Sequence, residues 1–233
     1  MQDWLELHGL TAQDCAQLVA IDLPDAATGA CAPPASWPDG PGLWSLVAAA
    51  LSAQLPEMAD DIARAETQTI VNFAPDPARH PRPFALYLAE KGKVYASCPL
   101  SGSAKDMVLV AHEFGHALQL HLVADKGVPP ILRETCAFLS EEMLLEALPD
   151  LAPLYAAAVG ARLAAFRARN LGPMRADLLK ALHNPSVIYQ YNWNYPPARG
   201  LALGLLRQRD AGTAVALYRG KLTLGNLQKI LHA

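Results

Sequence analysis

Two histidines and a glutamate near the middle of the chain have the types and spacing for metal chemistry. They occur in the run His112-Glu113-Phe114-Gly115-His116. On a helix, residues four apart lie on one face, so both imidazoles can bind one ion. Glu113 can then reach a water molecule on that ion and accept its proton, as in zinc sites with an HExxH motif. The competing interpretation is an amphipathic helix that carries these three residues by coincidence, so the surrounding sequence must decide.

The residues around the motif predict a long and mostly apolar helix. Ser103 followed by Asp106 has the spacing of a capping box, which marks a helix N-terminus. Apolar residues then dominate as far as Ala124, as expected of a helix that crosses a core. Polar side chains on such a helix are costly to bury unless they are paired or bind a metal, which favours the metal interpretation. His121 falls on the opposite face from His112 and is not predicted to be a ligand.

The third ligand is predicted on the next helix along the chain. That helix is expected from Ile131 onward, and it carries Glu134, which follows His116 by 18 residues. This interval lets one helix end and a second return antiparallel, which makes Glu134 the candidate ligand. Glu141 lies two turns further on the same face and can orient a histidine ligand through a hydrogen bond. The alternative is that Glu141 and Glu142 form a solvated helix face.

The HExxH helix followed by a helix with Glu134 and Glu141 resembles the thimet oligopeptidase and oligoendopeptidase F family of zinc metallopeptidases. The resemblance runs from about Phe84 to the C-terminus, and it departs from several relatives at Ala137, where they have a serine. It implies a zincin-like catalytic domain with one Zn²⁺ per chain, completed by Glu134. The relatives are several times longer, with an N-terminal helical region that covers the cleft. The resemblance therefore implies a more open site here, or one covered by another subunit.

An aromatic cluster between residues 183 and 195 holds the candidates for the remaining catalytic groups. It contains three tyrosines, a tryptophan and a histidine, in a chain with only 7% aromatic residues. A phenol can donate a hydrogen bond to a developing oxyanion. The resemblance implies that a histidine and closely spaced tyrosines supply such donors and hold the substrate, which singles out His183, Tyr189, Tyr191 and Tyr195. The alternative is an aromatic core segment whose hydroxyls are satisfied internally.

Three strands are predicted ahead of the motif, at residues 67–73, 84–89 and 94–98. The last two are joined by the turn Glu90-Lys91-Gly92-Lys93 and form a hairpin. The resemblance implies that the strand before the HExxH helix lines the cleft and pairs with the substrate backbone. Substrate binding is therefore assigned to Tyr95, Ala96 and Ser97, through addition of the peptide to a sheet edge. An ordinary hairpin with a structural turn stays the alternative.

Length and composition predict a mainly α protein with a small sheet. The chain has 233 residues, of which 52% are hydrophobic and 18% charged, enough for a sizeable core. Residues 1–42 are interpreted as an N-terminal helix, opened by a capping box of Thr11 and Asp14, and a Pro/Gly-rich linker; residues 43–233 are interpreted as the catalytic domain. Further helices are predicted at 43–55, 56–65, 151–169, 174–182, 196–209 and 211–218.

The same composition excludes several classes of partner. A net charge of −3 without a basic cluster argues against nucleic acid. No apolar run is long enough to span a bilayer, and the acidic start does not resemble a signal peptide. The four cysteines lack CxxC spacing and are typical of scattered buried thiols in a reducing compartment. The expected location is cytoplasmic.

The sequence thus predicts a zinc-dependent metallopeptidase that acts on peptides or unfolded protein segments, with Glu113 as general base. Two alternatives stay open: a zinc-containing peptide-binding protein without turnover, which would not need this glutamate, and a processing peptidase for one partner peptide. A more open cleft would leave apolar surface exposed, which commonly marks an interface. This predicts either a homo-oligomer whose neighbouring subunit covers the cleft or a site that accepts extended protein segments. For the homo-oligomer, the predicted contact surface is the N-terminal segment 1–42, with Trp4, Leu5, Leu7 and Trp37.

Overall fold

The computed structural model is mainly helical, with 70% helix and one three-stranded sheet, which confirms the predicted mainly α class. The structure describes residues 1–20, 34–80, 82–124, 127–184 and 186–231. Numbered in chain order, the helices of this part are α1 (Gln2–His8), α2 (Ala12–Leu18), α3 (Gly40–Gln54), α4 (Ala59–Gln68), α5 (Ala104–Val123), α6 (Pro130–Leu151), α7 (Pro153–Arg169), α8 (Arg175–Leu182), α9 (Tyr195–Gln208), α10 (Ala211–Tyr218) and α11 (Leu224–Leu231). The strands are β1 (Ile70–Asn72), β2 (Phe84–Leu88) and β3 (Lys93–Ser97).

Helices α5 and α6 run through the core and pack tightly along each other. Helix α5 begins where the capping box predicts, because the Asp106 carboxylate accepts a hydrogen bond from the Ser103 backbone N–H, at 3.1 Å. The two helices approach each other closely at Gly115. A Cβ atom on this residue would lie 2.8 Å from Ala137 Cα and 2.9 Å from Cys136 O. Only a residue without a side chain permits this separation, which brings the two candidate ligand helices together.

The sheet has the order β1-β3-β2, with β1 parallel and β2 antiparallel to β3. The predicted hairpin is present, and Gly92 takes the left-handed conformation at its turn, with φ 59°. Buried Val94 and Ala96 face the core. Strand β1 is shorter than predicted because residues 67 and 68 still belong to α4.

The strand order corrects the predicted substrate site. Tyr95, Ala96 and Ser97 lie on the central strand, and each is in register with a residue of β1 on one side and of β2 on the other. Their backbone therefore has no free edge to which a peptide could be added. The hairpin places β3 beside β2, as predicted, but the parallel pairing with β1 fills the second side. The free edges of this sheet belong to β1 and β2.

In its described residues, the N-terminal segment packs largely against the core and is not the exposed surface that its composition suggests. Trp4 and Leu5, on a helix that was not predicted, are 4% and 7% exposed. Trp37 packs on Tyr155 of α7, with ring centroids 5.3 Å apart. Leu7 alone of the four apolar residues is largely exposed, at 60%. The predicted interface therefore loses most of its apolar surface, and the homo-oligomer and the division at residue 42 stay predictions.

Most of the other predicted helices are present with shifted ends. The Thr11 and Asp14 side chains form the N-terminal capping box of α2, and α3 begins at Gly40 because the Asp39 side chain caps it.

Cys15, Cys98 and Cys136 are free and buried, as predicted. The fourth cysteine and most of the predicted linker fall in 21–33, outside the described residues. Within the described ranges, no helix has both the length and the apolar character needed to cross a membrane.

Candidate metal centre

Helices α5 and α6 bring the three predicted ligands into one group. Helix α5 supplies His112 and His116, whose ring centroids are 4.8 Å apart. Helix α6 supplies Glu134, with Oε2 at 3.3 Å from His112 Nε2 and Oε1 at 3.7 Å from His116 Nε2. One ligand atom from each residue lies within 4.8 Å of the others, and no other His, Cys, Asp or Glu group in the described part of the chain converges in this way.

The donor set fits a divalent metal ion. Two imidazoles and a carboxylate match a catalytic zinc site, and tetrahedral ligand bonds of about 2.0–2.1 Å place neighbouring donor atoms about 3.3–3.4 Å apart. Glu134 Oε2 is buried and has no hydrogen-bond partner among the described residues. Such atoms are rare in folded proteins because their desolvation is not compensated. A cation bound between the three side chains would satisfy this oxygen, although the same donors also suit other divalent metals.

The tautomer of His112 strengthens this fit. Its Nδ1 lies 2.7 Å from Glu141 Oε1, so in the neutral ring Nδ1–H donates to that carboxylate. Nε2 then directs a lone pair toward Glu134 Oε2, which is also an acceptor, and the two atoms need a cation or a proton between them. Burial lowers the pKa of His112, but Glu134 and Glu141 outweigh this effect and raise the pKa to about 10. Without a metal ion, a proton on Nε2 would serve this purpose.

The contacts of Glu141 and Glu142 exclude the solvated-face alternative for this part of α6. Both carboxylates are buried. The second oxygen of Glu141 accepts a hydrogen bond from Arg199 at 2.5 Å, and Glu142 pairs with Arg199 and Arg167. Glu141 therefore contacts a predicted ligand, as the helical spacing indicates, while its role in orienting that ligand stays a prediction.

Glu113 has the environment of a group that can exchange a proton near neutral pH. The side chain is buried, and its Oε2 atom has no hydrogen-bond partner among the described residues. Burial disfavours the carboxylate form and, with the charges of Glu134 and Glu141, raises the pKa of Glu113 to about 8 in the metal-free protein. The positive charge of His112 opposes this shift. A pKa near the working pH is what general acid–base chemistry requires.

One of the three tyrosines contacts the metal group directly, and a second packs on a ring that contacts it. The Tyr191 hydroxyl donates to Glu134 Oε1 at 2.7 Å. Tyr195 packs on the Phe138 ring, which in turn contacts His112, with centroid distances of 5.7 and 5.2 Å. In the described part of the chain, the Tyr195 hydroxyl has no hydrogen-bond partner. Burial, together with the charges of Glu134 and Glu113, raises the pKa of Tyr195, so its phenol stays protonated and can donate.

The remaining sequence candidates lie outside this group. The Tyr189 hydroxyl accepts a hydrogen bond from Asn194 at 2.7 Å and makes none with the metal group. His183 is the C-cap of α8, and among the described residues no hydrogen bond, ion pair or ring contact joins it to the ligands or the tyrosines. His121 bonds Thr69 and is not a ligand, as predicted.

Sequence reasoning missed several residues that support the site. Arg199, Asn194 and Phe138 all contact predicted site residues, yet none belongs to the HExxH motif. One signal for Arg199 is visible in the chain, because this arginine interrupts the small and apolar stretch Ala198 to Leu206 on a helix. A charged residue in such a stretch is buried only with a partner. Which carboxylate pairs with it is decided by the packing of α9 on α6.

Comparisons of the chain with protein-family models, with curated proteins and with solved structures found no match. The family resemblance therefore rests on the HExxH motif and on the glutamates of the next helix. Of these residues, the structure brings His112, His116 and Glu134 into one group and places Glu141 behind the first histidine.

Proposed function

We propose that this chain is a zinc-dependent metallopeptidase of the thimet oligopeptidase and oligoendopeptidase F type, with a zincin-like catalytic domain. The observation that carries the proposal is a buried glutamate without a partner, Glu113, beside the converging group of His112, His116 and Glu134. A protein that only binds peptides does not need a general base at this position. Hydrolysis of an amide bond needs such a group twice, once to accept a proton and once to return it.

The three ligands would hold the zinc ion, which supplies Lewis acidity and lowers the pKa of water. Glu113 then acts as general base, because its unpaired Oε2 is the atom free to take a proton. The same carboxylic acid returns this proton to the leaving amine when the peptide bond breaks. Glu141 holds the Nδ1–H tautomer of His112, so that Nε2 faces the site.

The tyrosines have different roles in this proposal. Tyr195 is the candidate donor to the oxyanion of the tetrahedral intermediate, because its hydroxyl is free among the described residues and its ring is fixed against Phe138. Tyr191 instead orients Glu134, since its hydroxyl is already engaged by that carboxylate. His183, which the structure does not bring to the group, has no assigned step.

The proposed substrates are peptides and unfolded protein segments. Ile188 is 85% exposed, and Tyr189 and Tyr191, close to it in the chain, are a little under half exposed. Together they offer an apolar contact for substrate side chains beside the metal group. The substrate backbone can add to the sheet only at its edge strands, β1 or β2, because β3 is paired on both sides. The three free buried cysteines are consistent with the proposed cytoplasmic location.

Digestion of a diverse peptide mixture, read by mass spectrometry, tests the proposal. The wild-type protein should cleave peptides, lose this activity with a chelator and regain it with zinc. Glu113→Gln should retain the metal and lose about two to four orders of magnitude in rate, the usual contribution of a positioned general base. Glu146→Gln, on an exposed face of α6, is the matched control and should behave as wild type. Wild-type rates in Glu113→Gln, or cleavage that survives metal removal, would contradict the mechanism.

A further inference from the structure

Arg199, on α9, is a buried charge that the proposed mechanism does not use. It is 1% exposed. Its guanidinium donates through Nη2 to Glu141 Oε2 at 2.5 Å and through Nη1 to Glu142 Oε1 at 2.9 Å. Its planar face lies over the Phe138 ring, 3.8 Å from the centroid. Removing such a charge from water is expensive even when it is paired, and a hydrophobic residue would often serve stability as well. Its presence beside the metal group therefore points to a role other than stability.

The two carboxylates that Arg199 contacts are not equivalent. Glu142 has a second cationic partner, because Arg167 donates to both of its oxygens. Glu141 has no second arginine in the described part of the chain. One of its oxygens bonds His112 and the other bonds Arg199. Loss of Arg199 would thus leave Glu142 paired, while one oxygen of Glu141 would be buried without a partner.

These contacts form a continuous path from Arg199 to the metal group. The guanidinium fixes Glu141 Oε2, which leaves Oε1 directed at His112 Nδ1, and this bond selects the tautomer whose Nε2 faces Glu134. Phe138 reinforces the same arrangement, because its ring contacts both the guanidinium and the His112 imidazole. We propose that Arg199 is a positioning residue that sets the affinity of the metal site through Glu141 and His112. This inference rests on the metal site of the proposed function.

The position of Arg199 on α9 also links it to Tyr195. Tyr195 lies four residues before Arg199 and therefore on the same face of α9, and both side chains pack on Phe138. The ion pairs of Arg199 with α6 thus also hold the helix that presents the Tyr195 hydroxyl. A single buried guanidinium connects the ligand helices to the proposed oxyanion donor.

Metal titration of the full chain tests this role, with Co²⁺ as the probe because its visible absorption reports ligand geometry. Arg199→Met should lower Co²⁺ and Zn²⁺ affinity by about 10- to 100-fold, as for other residues that orient metal ligands, and should change the Co²⁺ spectrum. Arg167→Met is the matched control, since Arg167 also pairs with Glu142 but makes no contact with Glu141. It should bind both metals as wild type does, even if it unfolds at a lower temperature.

A double-variant cycle separates positioning from general loss of stability. If Arg199 acts through Glu141, then Arg199→Met combined with Glu141→Gln should lose no more metal affinity than Glu141→Gln alone. Additive losses, equal losses in the Arg199 and Arg167 variants, or wild-type affinity in Arg199→Met would each overturn the inference. If Arg199→Met does not fold, Arg199→Lys is the second variant. It retains the positive charge but lacks the guanidinium that bonds Glu141 and Glu142 together, so it should give a smaller loss of metal affinity. Wild-type affinity in Arg199→Lys would overturn the inference. A wild-type protein that binds neither metal would overturn the proposed function and this inference together.

Discussion

The metal group stands on two long buried helices, whereas the tyrosines stand on a partly exposed segment that distant parts of the chain hold in place. Helices α5 and α6 have 20 and 22 residues; the two histidines lie in the middle of α5, and Glu134 lies in the second turn of α6. Tyr191 opens a short 3-10 turn, and Tyr189 precedes it in irregular structure, with 48% and 42% of their surfaces exposed. The metal half of the site depends on helix geometry and on the close contact of α5 with α6 at Gly115. The tyrosine half depends on hydrogen bonds between residues far apart in sequence.

Helix α1 makes the most distant of these bonds. Asn194 is fully buried, and its amide donates to the Tyr189 hydroxyl at 2.7 Å and to Tyr191 O at 2.8 Å. The carbonyl of the same side chain accepts from the Trp4 indole N–H at 2.8 Å. On the same helix, His8 Nε2 accepts from the Ile131 N–H near the start of α6, at 3.3 Å. The N-terminal helix thus contacts both halves of the site.

This difference indicates that the two halves can be damaged separately. Changes on α5 and α6 should reduce metal binding, and activity should fall as a consequence. Changes that remove only the Tyr195 hydroxyl or the bond between Trp4 and Asn194 should reduce turnover and leave the metal in place. Four predictions test this separation, from the largest expected effect to the smallest.

Glu134→Ala should abolish most metal binding, because the two remaining imidazoles do not complete a three-ligand site. The metal content after gel filtration should fall from about one ion per chain to near zero, while circular dichroism keeps its helical signal. Glu146→Ala, an exposed glutamate on the same helix, is the control and should retain the metal. Full occupancy in Glu134→Ala would remove this residue from the ligand set.

Tyr195→Phe should lower kcat by about 10²- to 10³-fold, the usual cost of losing one oxyanion donor. Its metal content should stay at the wild-type level, since the hydroxyl bonds no ligand among the described residues. Tyr189→Phe is the matched control, because its hydroxyl bonds Asn194 and makes no bond with the metal group. If Tyr189→Phe loses more turnover than Tyr195→Phe, the assignment of the oxyanion donor is wrong.

Gly115→Ala should destabilise the fold and weaken metal binding together. The added Cβ would lie 2.5 Å from Ser140 Oγ and 2.8 Å from Ala137 Cα, so α5 and α6 must separate. Overpacking of this kind costs about 1–3 kcal/mol, measurable by urea unfolding. Gly160→Ala, in the middle of α7, is the control: its nearest neighbour is Leu145 Cδ1 at 3.5 Å, and it should be neutral or stabilising. Equal stability of the two variants would refute the importance of this helix contact.

Trp4→Phe should have the smallest effect on activity and should affect only the tyrosine half. It keeps an aromatic ring but removes the indole N–H that bonds buried Asn194, and leaving that amide oxygen without a partner costs about 1–3 kcal/mol in unfolding free energy. Turnover should fall several-fold while the metal affinity stays unchanged. Trp37→Phe, where the indole packs on Tyr155, controls for the loss of a tryptophan. A drop in metal affinity in Trp4→Phe would show that the two halves are not separable.

Sequence patterns determined those parts of the site that depend on neighbours along the chain. Both histidines and Glu113 could be predicted from the spacing of four residues on a helix, and Glu141 from two helical turns after Glu134. The capping boxes at Thr11 and Ser103 marked helix starts correctly for the same reason. These features rest on local geometry, which hydrogen bonds within one helix fix regardless of the rest of the fold.

The tertiary structure decided which distant elements meet. The residues 94–98 read as a strand, but only the parallel pairing with β1 makes β3 central and removes Tyr95 to Ser97 from any sheet edge. In the same way, the apolar Trp4 could equally cover an interface or enter the core, and its burial follows from the fit of α1 beside Asn194. The partners of Arg199 are likewise set by the packing of α9 on α6. Such contacts depend on shape and charge complementarity between residues far apart in sequence, which periodicity and spacing along one chain do not encode.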